Sequence, residues 1–487
     1  MIPFRTDSCY VFAGPSDTIS RAGRTVAGPA LTRDTSGQGF VTETPVHFSQ
    51  RPYHPRIIDH ELDALLAGAG AVLLEGAKAV GKTATATRLA ARTVRLDDPA
   101  VADVVRASPQ AALRPPFPVL FDEWQHVPAI WDAVRRRIDD DPTPGLALLA
   151  GSAMPPQRAL PTHSGAGRIV VRRMRPLALS ERFEADGVMT ADRDTVSVRA
   201  ILGGRGAMPL RGESPWTLFD YAREIVASGF PALRTLAPTV RRAQLDGYVR
   251  HMTTRDVQEA GSASANPAAV HRWLQAYAAA TATTTALEKL RDVASAGDVS
   301  APAKTTVLRY RDALQRLYLF DPVPAWQPGG TALSRLGGAP RIHLVDPAIS
   351  ALLLGVDESA LLEGASTPLA DAVPAVRDGG LFGALFESLV AQSMRTYAQA
   401  ADAELLHLRT HGGDREVDGI ILRRDHRCVA YEVKLSATIR DDDVRHLQWL
   451  RSRLGAQLLD ALVVNTGPAA YRRPDGIGVV PAAMIVP

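Results

Sequence analysis

Cysteine is nearly absent: among 487 residues only Cys9 and Cys428 carry a thiol, and they lie in unrelated segments. That excludes a disulfide scaffold and a zinc site built from cysteines, and neither thiol is read as functional. No apolar run reaches the roughly 18 residues that a membrane span needs, and no basic stretch leads into the apolar core of a secretion signal. A cytoplasmic protein with no membrane partner is expected. The net charge is only +3, too small for a protein that coats DNA by charge alone, so any nucleic-acid role must be local. Lysine is scarce too, with five residues at 78, 82, 289, 304 and 434 against fifty arginines. A lysine kept in so arginine-rich a chain is a candidate for a place where a compact ammonium cannot be exchanged for a planar guanidinium.

What is present is the balance of a globular protein, 46% apolar and 22% charged, in a length that suggests about three domains. Residues 1–52 mix Gly, Ser, Thr, Pro and Arg without a clear period and read as a poorly ordered arm. From residue 53 to about 185, short apolar runs alternate with helical stretches. The runs are Ala71 to Glu75, Thr93 to Leu96, Pro118 to Asp122, Leu146 to Ala150 and Arg168 to Val171. This alternation predicts an α/β domain with a parallel sheet. A loop-rich connection leads to a mainly helical region, 217–350, where Ala286 to Val293 and Pro302 to Leu319 read as two helices of a winged-helix unit. The second places Val307, Tyr310, Leu314 and Leu317 on one face. Residues 375–487 then read as a small α/β domain in the order helix, strand, strand, helix, strand.

The run Gly76-Ala77-Lys78-Ala79-Val80-Gly81-Lys82-Thr83 fits GxxxxGK[ST] between an apolar strand and a helix-compatible segment. Such a loop turns successive N–H groups inward around phosphates, with Lys82 reaching the β- and γ-phosphates and Thr83 ligating Mg²⁺. ATP and Mg²⁺ are therefore the expected cofactors. Downstream, Val119-Leu120-Phe121 ends in Asp122-Glu123, as a Walker B strand would: Asp122 holds the metal and Glu123 polarises the attacking water. Ser152, at the end of the next run, is placed to sense the γ-phosphate, though a Ser after a Gly is also an ordinary turn residue. Among Arg168, Arg172, Arg173 and Arg175, Arg168 is the first candidate for an arginine finger, in its own chain or across a subunit interface, and Arg175 the second. A solvated basic strand is the alternative.

Near the C-terminus, Asp418 lies on one strand and Glu432-Val433-Lys434 on the next. Residues two apart share a strand face, so two carboxylates and a lysine converge as in the D…ExK site of metal-dependent nucleases, where Asp418 and Glu432 bind Mg²⁺ and Lys434 orients water. Glu387, on an upstream helix spanning Leu381 to Tyr397, is a further acid. Lys304, Arg309, Arg311 and Arg316 lie on or near the second middle helix, where they could meet DNA phosphates or simply face solvent.

Together Tyr53-His54-Pro55-Arg56, GAKAVGKT, VLFDEWQ, LLAGSA, HSGAGRI with RRMRPLALSE, and REVDGIIL…YEVKLS resemble the AAA-type ATP-binding proteins that carry the C-terminal domain of unknown function 4143. The resemblance spans residues 53–487. It implies a P-loop core, a helical or winged-helix middle and a restriction-endonuclease-like, PD-(D/E)xK-type C-terminal domain. It also implies Lys82 and Thr83 as nucleotide contacts, Asp122 and Glu123 as Walker B acids, and Asp418, Glu432 and Lys434 as a nuclease-like cluster. The expected function is a Mg²⁺-dependent ATPase acting as a nucleotide-driven switch on DNA. The alternative is a regulatory ATP-binding protein with an inert pocket and a protein partner or a second copy of itself.

Overall fold

The structure is a computed structural model. It describes residues 53–487 except 155–164, 186–195, 205–209, 261–264, 296–303, 327–337, 364–379 and 411. The expected N-terminal arm, His163 and Ser164, and the start of the helix expected from Pro302 lie outside the described residues.

Five strands, β1 (Ala71–Glu75), β2 (Arg92–Arg95), β3 (Val119–Asp122), β4 (Ala147–Gly151) and β5 (Ile169–Arg173), pair in parallel in the order β2-β3-β4-β1-β5. All five stand within a residue or two of their expected positions. In β1, β3 and β4 the apolar residues are continuous rather than alternating because both faces are covered. Val72, Leu74, Leu120 and Leu148 pack into one core, and Ala71, Leu73, Phe121 and Leu149 into another. The second core is closed by the helix Ala129–Asp140, whose Ile130, Val134 and Ile138 recur at the helical period. The first is closed by the helix Ile58–Gly68 and by residues of the middle region, including Met252, Trp273 and Leu314. The helical middle is thus packed on the sheet that carries the P-loop.

That middle region contains helices Leu218–Ala227, Pro238–His251, Pro267–Ala279, Leu287–Ala294, Lys304–Arg316 and Pro347–Leu353. Val307, Tyr310, Leu314 and Leu317 are all buried, as their spacing requires. After them the backbone pairs Phe320 with Leu344 and Val323 with Arg341 in a short antiparallel ladder.

The strand β6 (Val196–Ser197) pairs in parallel with β13 (Ile485–Val486), so the last residues return to the segment that follows the ATPase sheet. Between them lies a mixed sheet of β7 (Glu404–Arg409), β8 (Glu416–Leu422), β9 (Cys428–Lys434), β10 (Leu458–Asn465), β11 (Tyr471–Arg472) and β12 (Gly478–Pro481), ordered β11-β12-β10-β9-β8-β7. Helix Gly380–Ala400 covers one face through Leu385, Phe386 and Leu389, and helix Asp441–Leu454 covers the other through Val444, Leu447 and Leu450. The sequence pattern missed β7. Its Leu405-Leu406-His407-Leu408 run is buried throughout and rich in residues that also suit helices, so no period of two marks it.

Candidate nucleotide site and carboxylate pocket

The loop after β1 has the backbone that phosphate binding requires. Gly76 and Gly81 have φ of 150° and 104°, and even Ala79 is left-handed at 66°. A Cβ on Gly76 would stand 2.2 Å from the Met174 carbonyl oxygen, so no other residue fits there. Gly81 opens the helix Lys82–Leu89, whose first turn holds no acid to compete with an anion.

Lys82 is buried, and its Nζ donates to the carbonyls of Gly76 (2.9 Å) and Ala77 (2.8 Å). Burial lowers its pKa to about 8, against the opposing pull of Glu123 and Asp122. Thr83 Oγ1 donates to Asp122 Oδ1 at 2.9 Å, so the two expected magnesium ligands already touch. Burial raises the Asp122 carboxyl, and the Thr83 hydrogen bond acts the other way. Glu123 has φ of 52°. Its Oε2 accepts from Ser152 Oγ at 2.7 Å and from the Gln125 amide. Ser152 therefore contacts the expected general base. These donors, turns and carboxylates fit a nucleotide with Mg²⁺.

Sequence reasoning gave no site role to Arg56. Its Nη1 donates to the Val80 carbonyl (2.8 Å), its Nη2 to the Arg175 carbonyl (2.8 Å), and its Nε to buried Glu181 (3.0 Å). It therefore ties the P-loop to the segment after β5. The only signal for it was its place in the Tyr53-His54-Pro55-Arg56 run. The side chain of Lys78, whose backbone belongs to the expected phosphate cradle, donates to Asp256 (2.8 Å) in the π-helical turn Met252–Asp256 of the middle region.

The arginine-finger candidates separate. Ile169 pairs with Ala71 at the start of β1, so Arg168 lies at the sheet edge opposite the P-loop, on the order of 15 Å away at strand rise. It is bonded there to Asp139 (2.8 Å). Of the two alternatives for Arg168, its own chain or a neighbouring subunit, this placement does not bring it to the P-loop of its own chain, because a parallel sheet puts the beginning and end of a strand at opposite ends. Arg175 lies at the P-loop end but is held by Asp321 (2.7 Å).

In the C-terminal sheet the expected cluster does assemble. Asp418 Oδ2 accepts from the Val433 N–H (2.7 Å), and Lys434 Nζ stands 3.5 Å from Glu432. A fourth partner was unforeseen. Arg341, from the ladder of the middle region, is only 5% exposed at its side chain and reaches Asp418 at 2.6 Å while also binding Glu387 and Glu416. Burial works against its charge, but the three acids outweigh it and hold the guanidinium firmly cationic. Burial would raise Asp418, yet Arg341 keeps it below its ordinary value; burial and Asp418 together push Glu432 well above its own. Glu387 is raised to about 8, chiefly by burial, because Arg341 divides its charge among three carboxyls. No group of three or more metal-binding side chains is arranged for a metal ion among the described residues. A cation already lies against Asp418, so this arrangement does not fit the expected metal.

Of the arginines expected to meet DNA phosphates, Arg311 pairs with its neighbour Asp312 and Arg316 donates to the Ala260 carbonyl. The side chain of Lys304 lies outside the described residues. Among them, no helix is long and apolar enough to cross a membrane.

Strand, phosphate loop, helix and an acid-ended strand of the same sheet, separated from β1 by β4, define the P-loop nucleoside-triphosphatase class. Residues 69–183 match the family described as an AAA domain, 218–360 a domain of unknown function (DUF8612) and 382–485 a domain of unknown function (DUF4143). The chain thus carries a P-loop region that matches an AAA domain, ahead of a region that matches DUF4143. Two uncharacterised relatives, from Mycobacterium tuberculosis and Mycobacterium bovis, are each 26% identical over 421 residues, which cover 85% of this chain and 80% of the relative. A Walker-type ATPase of Pyrococcus abyssi is similar at 12% identity and a TM-score of 0.36, over 63% of this chain and 99% of that one.

Proposed function

We propose that the protein is a Mg²⁺-dependent ATPase whose nucleotide state acts as a switch on its middle and C-terminal regions, with DNA as the partner. The observation that carries this is the contact of Thr83 Oγ1 with Asp122 Oδ1 at 2.9 Å beside buried Lys82. Lys82 and the loop N–H groups from Gly76 to Thr83 hold the phosphates, Thr83 and Asp122 hold the metal, and Glu123 orients the attacking water. Mg²⁺ supplies neutralisation of phosphate charge. Ser152 and Gln125 fix the Glu123 carboxylate. Arg168 serves the reaction only across a subunit interface of a homo-oligomer.

The route to the rest of the chain runs through the middle region. Asp256 binds Lys78 of the P-loop, and Tyr318 donates to Glu75, the residue before Gly76, at 2.9 Å. Tyr318 leads into the ladder that presents Arg341 to the carboxylates. In the C-terminal domain we read a restriction-endonuclease-like fold, supported by the strand order and by Asp418 beside the Glu432-Val433-Lys434 strand. Arg341 favours the second reading for that pocket: a non-cleaving, regulatory module that binds a protein partner.

The test is ATP turnover with Mg²⁺, with and without DNA, for the wild type and Lys82→Ala. DNA-stimulated turnover that disappears in the variant supports the switch; tight ATP binding without turnover favours the regulatory reading. Mg²⁺-dependent DNA cleavage that Asp418→Ala abolishes while ATP hydrolysis survives would assign a working nuclease to the pocket.

A further inference from the structure

A cleft of about 570 Å³ lies between the two sheets, a volume suited to a small ligand or a short stretch of a larger one. One wall is β5, the edge strand of the ATPase sheet; the other is the start of β7 and the end of β8, where β7 is the edge of the C-terminal sheet. None of the P-loop residues lines it.

The lining holds six arginines, Arg172, Arg173, Arg175, Arg395, Arg423 and Arg424, against three acids, Glu61, Asp402 and Glu404. Behind it, buried Asp321 is shared by Arg173 (3.5 Å), Arg175 (2.7 Å) and Arg395. Asp425 is shared by Arg423 (3.0 Å) and Arg427 (2.9 Å). With both shared acids and Arg427 added, seven guanidinium groups face five carboxylates, an excess of two positive charges. Donors are in excess as well, since each guanidinium carries five N–H groups and the buried Nε of Arg173 has no acceptor among the described residues.

No Phe, Tyr or Trp side chain is among the lining residues, and His426 is the one ring there. What the walls provide is the planar, multidentate recognition that arginine gives to phosphate oxygens.

We propose that this cleft binds phosphate groups carrying about two negative charges, either of a small free anion or of a nucleic-acid backbone. The proposal stands apart from the ATPase reading and is tested with that site disabled.

The full chain carrying Lys82→Ala is titrated with inorganic pyrophosphate by calorimetry and with a fluorescein-labelled single-stranded oligonucleotide by anisotropy at two salt concentrations. Arg172→Glu with Arg424→Glu should weaken binding about tenfold or more, as expected for charge-assisted hydrogen bonds. The milder pair Arg423→Gln with Arg424→Gln should weaken it in the same direction while the unfolding temperature holds. Binding of pyrophosphate alone assigns a small anion, and binding of the oligonucleotide, with or without pyrophosphate, assigns a backbone. Failure of the Lys82→Ala chain to bind either probe, or binding left unchanged by the arginine substitutions, overturns the proposal.

Discussion

Arg341 and Asp418 meet at 2.6 Å although 77 residues separate them, joining the ladder of the middle region to the second strand of the C-terminal sheet. The same guanidinium binds Glu387 and Glu416, so one buried cation serves three acids, and Lys434 is the other cation beside Glu432. Removing one member of such a buried group leaves uncompensated charge, which is more damaging than the net worth of the pair. Arg341→Ala is therefore expected to lower unfolding free energy by about 3–5 kcal/mol near neutral pH, measured by urea titration. Without Arg341 the Asp418 pKa rises, so part of the loss should return as pH falls toward 5. In the same variant Mn²⁺ should raise the melting temperature, an effect absent from the wild type. An equal Mn²⁺ response in both proteins would show that Arg341 does not compete with a metal.

The raised Glu387 carboxyl has a pH signature of its own. Its folded pKa of about 8 lies above the ordinary value of 4.5, so the folded state holds the proton that the unfolded state has released. Stability should decline as pH rises from about 4.5 to about 8, by at most about 1.4 kcal/mol per pH unit, and level off above that. Urea midpoints for the wild type and Glu387→Gln across this range measure the contribution as the difference in slope.

Lys82 predicts how nucleotide binding depends on pH. Its pKa in the empty loop is about 8, and phosphate favours the charged form and so raises it. Binding above pH 8 must take up a proton, and ATP affinity should fall by up to about tenfold per pH unit from there until the pKa of the bound form is reached. Calorimetry in buffers of different ionisation enthalpy should show that uptake at pH 9 and much less of it at pH 6.5. Lys82→Ala should lose both the affinity and the pH dependence.

Glu123→Gln should keep ATP binding and lose turnover by about 10²- to 10⁴-fold, the usual range for a general base. Ser152→Ala, which removes the 2.7 Å donor to Glu123, should show a smaller loss in the same direction with KM little changed. A steady-state assay separates the two, and unchanged turnover in Glu123→Gln would dismiss this residue as the base.

Arg56→Ala should destabilise the chain and weaken ATP binding together, because one buried guanidinium supports the Val80 carbonyl, the Arg175 carbonyl and Glu181. A loss of about 3–5 kcal/mol is expected from the unpaired Glu181, read by thermal unfolding with and without ATP. Arg56→Lys, which cannot make all of these bonds at once, should recover only part of it.

The sequence by itself determined what depends on neighbours along the chain. The eight residues Gly76 to Thr83 needed no distant partner to declare a phosphate loop, since their order, the strand before them and the helix after them are all local. The acid pair at Asp122-Glu123, the buried stripe Val307, Tyr310, Leu314 and Leu317, and the shared face of Glu432 and Lys434 were legible for the same reason: strand and helix periods fix which side chains go together. Tertiary structure decided what depends on residues far apart in sequence. Only the parallel order of the sheet carries Arg168 to the edge away from the P-loop, because strand direction is set by pairing. Only packing of the middle region on the sheet joins Lys78 to Asp256, and only folding of the ATPase region on itself joins Arg56 to Val80. The carboxylates of the D…ExK pattern were visible as a set, but the buried guanidinium that neutralises them comes from an unrelated segment. No period or motif announces Arg341, and its place follows from the need of buried carboxylates for a cation.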